Sequence, residues 1–257
     1  MRRLTAIGLA LVLVVFSAGS ALANHSWDNY HWQRSANPVH LDLGSNLSSA
    51  YSGNLSTART DWAKSDVLDL SIVGGAGNSK CGPVSGRIEV CNDRYGYRMG
   101  GYLGLAQIWA SGDHITQATV QLNDTFLLGG GTYDSDAWRQ MVTCQEVGHT
   151  FGLNHQDENF YNANLGTCMD YTTDPSTNQH PNQHDYDELD TIYSHLDGGG
   201  GGGGGGNCPD KNPHCGGAAP GRALPFSQAS RANGSLYVDH LANGATRITH
   251  VFWVPLS

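Results

Sequence analysis

The stretch Gln145-Glu146-Val147-Gly148-His149-Thr150-Phe151-Gly152-Leu153-Asn154-His155 gathers the side chains best suited to chemistry. Positions 145 and 149 stand one helical turn apart, so their side chains share a face and can converge on one point. Glu146 follows directly and reaches the same space from the side. Gly152 lets the chain leave a helix and turn, which brings His155 back toward His149. Two imidazoles, a third donor and a carboxylate arranged in this way make a three-ligand zinc site. Its fourth position is open, with a base beside the metal-bound water.

A second segment, Cys168-Met169-Asp170-Tyr171, follows at a short interval. Together the two segments resemble the metzincin zinc peptidases, whose signature is H-E-x-x-H-x-x-G-x-x-H followed by a Met-turn. The aromatic start Tyr30-His31-Trp32 and the strand order look matrixin-like, and the resemblance covers roughly residues 24–197. It implies an α/β (α+β) catalytic domain with a twisted mixed sheet, an active-site helix, a Met-turn and a C-terminal helix. It also implies a zinc metalloendopeptidase acting on protein or peptide substrates. One catalytic Zn2+ would be bound by His149 and His155, and Glu146 would serve as general base. Met169 would pack beneath the metal as a soft side chain and not as a ligand. Structural Ca2+ is compatible with the resemblance, but no ligand pattern in the sequence places it.

The departure from the signature is Gln145, which stands where the first histidine belongs. A neutral amide oxygen is a poorer zinc donor than imidazole. Three outcomes follow: Gln145 ligates through Oε1, another group substitutes, or the site is dead. Retention of Glu146 favours a working enzyme. The competing reading is a catalytically inactive metal-binding or protein-binding module on the same fold. Tyr171, two residues after Met169, has two readings of equal weight. It is a phenol that meets the metal or the developing oxyanion, or a ring packed beneath the site. His180, His184 and His195 read as solvated surface histidines.

The elements that must position these residues follow from periodicity. Ser135 to Phe151 reads as the clearest helix, capped by Asp134 or Ser135, with Trp138, Met141, Val142 and Gln145 on one face. A helix over Ser48 to Lys64 carries Tyr51, Leu55, Ala58 and Trp62 at helical spacing. A last long helix is expected over Asp185 to Leu196. Strands are expected over Tyr30 to Leu43, Val67 to Val73, Arg87 to Cys91, Leu103 to Trp109 and Thr116 to Leu122. Strands first and major helices later point to a mixed α/β or α+β domain.

Nine consecutive glycines, Gly198 to Gly206, read as a flexible linker with a reach of roughly 17 Å. Beyond them a small disulfide-containing tail, 207–257, holds two strand-like runs around Asn243-Gly244, a strong hairpin signal. With the linker between, the tail is expected to be dispensable for the chemistry. At the other end, Arg2 and Arg3, a short apolar run and Ala21-Leu22-Ala23 read as a secretory signal over residues 1–23. Export makes disulfides the natural state of the six cysteines. Nearest-neighbour pairs, Cys81–Cys91, Cys144–Cys168 and Cys208–Cys215, each bracket a plausible loop. The Cys144–Cys168 pair would tie Gln145's helix to Met169's turn, closing a loop worth about 3 kcal/mol. Charge excludes one class of partner: the net charge is −9, and lysine and arginine do not cluster, so no nucleic-acid groove is expected. The mature chain is expected to be an extracellular monomer with no membrane segment.

Overall fold

In the computed structural model the described residues are 24–77, 81–198 and 224–255. The expected signal, Cys208 with Cys215, and all of the glycine run after Gly198 lie outside them. The fold is mixed α/β, as expected, and its centre is one eight-stranded sheet. The elements in chain order are β1 (His31–Trp32), β2 (Val39–Asn46), α1 (Ser52–Trp62), β3 (Leu68–Gly74), β4 (Ile88–Asp93), β5 (Tyr102–Ser111) and β6 (His114–Asn123). They continue with a short α2 (Asp124–Leu127), α3 (Asp136–His149), α4 (Gln183–Ile192), β7 (Leu236–His240) and β8 (Thr246–Trp253). The expected first strand divides into β1 and β2, with Pro38, which lacks a ladder N–H, in the interval.

The strand order is β3-β2-β4-β6-β5-β8-β7, with β1 beside β6. Pairs among β1, β2, β3, β4 and β6 are parallel, whereas β5 pairs antiparallel with β6 and with β8. The hairpin expected in the tail is present, since β7 and β8 pair antiparallel. It is not set apart from the main domain, however. Strand β8 runs along β5 from Tyr102↔Trp253 to Ala110↔Thr246 and extends the same sheet. Without β8, the backbone groups of β5 on that side would form an open edge, which folded proteins cover.

The long helices bury one stripe each. Leu55, Ala58 and Trp62 of α1 meet α3, where the Trp62 indole donates to the Cys144 carbonyl at 3.0 Å. Helix α3 starts where Ser135 Oγ accepts from the Trp138 N–H, and it ends at His149, two residues earlier than the sequence suggests. Helix α4 begins two residues before the expected start because Asn182 and Asp185 form a reciprocal capping box.

Strand β8 also spans two cores. Ile248 and Phe252 join the large core shared with α3, while Val251 and Trp253 join a smaller cluster with Tyr102, Leu105 and Tyr237. Side chains alternate along a strand, so His250 lies on the same side as Ile248 and Phe252. That parity carries a residue of the tail to the end of α3.

Two of the expected disulfides are formed, Cys81–Cys91 and Cys144–Cys168. The second joins α3 to the segment holding Met169. Among the described residues, no helix is long and apolar enough to cross a membrane.

Candidate metal centre

His149 ends α3, and the chain then turns sharply. Gly152 has φ 99°, and a Cβ there would fall 2.2 Å from the Tyr30 carbonyl oxygen, so only glycine fits. The turn is held from outside by the N-terminal segment. The Trp27 N–H donates to Gly152 O at 2.7 Å, and Ser26 bridges Leu153. His155 therefore returns to α3 as expected, with its Nε2 2.9 Å from His149 Nε2.

The third imidazole comes from the tail. His149, His155 and His250 are all buried, and one ring nitrogen of each lies within 4.8 Å of the others. Both nitrogens of His250 are buried without a hydrogen-bond partner. Trp27 stacks on the His250 ring at 3.7 Å between centroids.

The outward nitrogens of the other two rings are held from behind. His149 Nδ1 lies 2.8 Å from the Leu153 carbonyl, and His155 Nδ1 lies 2.9 Å from Glu158 Oε1. A carbonyl or carboxylate on one ring nitrogen keeps the proton there and leaves the other lone pair free for a metal. Ser235 of the tail donates to the same Glu158 oxygen at 2.6 Å. Burial raises the Glu158 carboxyl, but the His155 and Ser235 contacts outweigh it and hold the group at about 2. Burial, reinforced by neighbouring imidazoles, pushes His149 and His250 well below the ordinary histidine value.

Gln145 sits on the expected face of α3. Its amide nitrogen donates to the Cys168 carbonyl at 2.7 Å, while its Oε1 is buried without a hydrogen-bond partner. Glu146 is fully buried with both oxygens unpaired, and burial raises its pKa well above the usual carboxylate range. It packs on β5, where a Cβ at Gly104 would fall 2.5 Å from Glu146 Oε1. Met169 is buried against α3, its sulfur 2.8 Å from where a Cβ at Gly148 would stand. The Tyr171 ring lies 4.4 Å from that of His155 between centroids. Its hydroxyl donates to the Val251 carbonyl of β8 at 3.2 Å.

The donor set suits a borderline metal. It offers three buried imidazoles, two of them oriented from behind, and orphaned buried atoms on His250, Gln145 and Glu146 that need a partner. Sequence reasoning missed His250 and Glu158. The signal for His250 was available: a lone histidine between Ile248 and Phe252, on the apolar parity of a strand.

No family model matches the chain, and no curated protein matches it. Among solved structures, one titled "Structure of Myroilysin" is similar over 63% of this chain and 82% of its own, at 12% identity and a TM-score of 0.37. At that level the likeness assigns no site residue.

Proposed function

We propose that the chain is a secreted zinc-dependent metalloendopeptidase, described here in a closed, resting arrangement. The observation that carries this reading is the gathering of three buried imidazoles at the end of α3, the helix that also carries the buried Glu146. His149, His155 and His250 are the residues that would hold the ion. Zinc bound by three imidazoles polarises a carbonyl and brings the pKa of its water down to about 7.

The chain's own residues supply the rest. Glu146 takes the proton of the attacking water and passes it to the leaving amine. Its buried position, with a raised pKa, suits a group that must hold that proton in passing. The Cys144–Cys168 bond and the contact from Gln145 to the Cys168 carbonyl fix α3 against the Met169 segment. Export agrees with the N-terminal signal and with the two disulfides.

Strand β8 explains why the arrangement is a resting one. It pairs with β5 at Gly104↔Phe252, beside the glycine that Glu146 abuts, and Glu146 has no exposure. A substrate peptide reaches Glu146 only when β8 gives way, and an exposed strand edge is a natural receptor for an extended peptide. With β8 displaced, the unpaired Oε1 of Gln145 is the donor left for the third position, and the Tyr171 hydroxyl is freed from Val251 to meet an oxyanion.

The complete burial of Glu146 also favours a second reading, an inactive metal-binding module on this fold. A His250→Ala substitution in the full mature chain separates the two. Hydrolysis of casein-type substrate at saturating zinc should exceed that of the unsubstituted chain if the strand is a closure. Hydrolysis absent from both proteins, with zinc bound, would establish the inactive module.

A further inference from the structure

A second cluster of metal donors stands apart from the first. His31 lies on β1, His114 opens β6, and His195 and Asp197 follow α4. Three imidazole nitrogens converge on a single carboxylate oxygen. Nε2 of His31 and of His114 are each 3.2 Å from Asp197 Oδ1, and Nε2 of His195 is 3.5 Å from it. The rings of His114 and His195 meet the His31 ring edge-on, at 88° and 82° between planes.

The spacing decides what the point is for. Four ligands at about 2.0–2.1 Å around a tetrahedral zinc are separated from one another by about 3.3 Å. The observed separations from Asp197 Oδ1 fall on that edge length. The far sides of the ligands are already committed. His31 Nδ1 lies 2.7 Å from the Asn29 carbonyl, which holds the proton there and frees Nε2. Asp197 Oδ2 accepts the Arg34 backbone N–H at 2.8 Å, which leaves Oδ1 for the ion. His31 and Asp197 are buried and His114 and His195 are half-exposed, so the point is built from within and open to solvent.

We propose a second, structural metal site of the zinc class, formed by His31, His114 and Asp197, with His195 at its margin. Two imidazoles and a carboxylate lie within 4.8 Å of one another and would hold the ion, and His195 stands beside them, 3.5 Å from Asp197 Oδ1. Bound metal joins the N-terminal strand, the start of β6 and the end of α4 at the point where the glycine run begins. It therefore anchors the main domain at the root of the linker.

The test counts zinc in the purified mature chain by plasma mass spectrometry after dialysis against a zinc buffer. The comparison is with His114→Gln/His195→Gln, which alters only the half-exposed histidines of the cluster and no residue of the first centre. The unsubstituted chain should hold one more zinc per molecule than the double variant. Added zinc should also raise its melting temperature further than that of the variant. Equal zinc content in the two proteins, with equal melting shifts, would overturn the site. Should the double variant fail to fold, His114→Gln alone serves, with at least a 10-fold loss of affinity for one zinc equivalent expected and unchanged affinity overturning the proposal.

Discussion

The imidazole of His250, on the last strand, lies face to face on that of His149, at the end of the long helix, with centroids 4.0 Å apart and planes 10° apart. These residues are a hundred positions apart, on opposite sides of the glycine run. Their meeting makes the tail part of the candidate metal centre. The β5–β8 ladder provides the backbone energy for that meeting, and the Trp27 ring stacks on both imidazoles, 3.7 Å from His250 and 5.5 Å from His149 between centroids.

Glu146→Gln should abolish hydrolysis while zinc content is unchanged, because it removes the base and none of the imidazoles. Peptide turnover and metal analysis on the same preparation check this. Undiminished turnover would remove Glu146 from the mechanism.

Glu158→Ala should weaken zinc binding about 10–100-fold, the usual cost of losing a carboxylate behind a ligating histidine. Its contact with His155 fixes that ring, and Ser235 fixes the carboxylate in turn. Competition with a zinc chelator measures the loss. Affinity equal to that of the unsubstituted chain would mean that His155 needs no orienting partner.

Gly148→Ala should destabilise the fold by about 1–3 kcal/mol. A Cβ there would fall 2.5 Å from the Trp62 ring and 2.8 Å from the Met169 sulfur. The gain of about 1 kcal/mol in helix propensity offsets only part of that overpacking. Denaturant unfolding of the two proteins checks the sign, and a stabilised variant would show that the ring and sulfur have room to move.

Much of this was legible in the sequence because it rests on local rules. Gly152 between His149 and His155 announces the return of the chain. The periodicity of α1 and α3 announces their buried stripes, and Asn243-Gly244 announces the β7–β8 hairpin. Cys144 and Cys168 pair as nearest neighbours, and the bond is present. What local rules did not give was where the hairpin goes. A nine-glycine run reads as a tether, and pairing of β8 with β5 joins residues about 140 positions apart that no local pattern links. On the proposed reading, the tail would not be dispensable for the chemistry, since a chain ending at Asp197 lacks His250. His250 is hidden from the sequence pattern around Gln145 by the same long separation. A ligand search along one helix cannot see an imidazole arriving on a strand from the far end of the chain.

The same distance explains why His195 read as a solvated histidine. Its partners His31 and His114 come from β1 and β6, and only the parallel pairing His31↔His114 brings those two residues side by side.

The central claim is that His250 is the third imidazole of the metal centre. A zinc-buffer titration of the unsubstituted chain, His250→Ala and Gln145→Ala tests it directly. All three are made in the His114→Gln/His195→Gln background, so that only the first centre is read. His250→Ala should bind zinc at least 10-fold more weakly than the parent, and Gln145→Ala should stay close to the parent. Parent-like affinity in His250→Ala, with the loss appearing in Gln145→Ala, would contradict the account and return the third position to the helix.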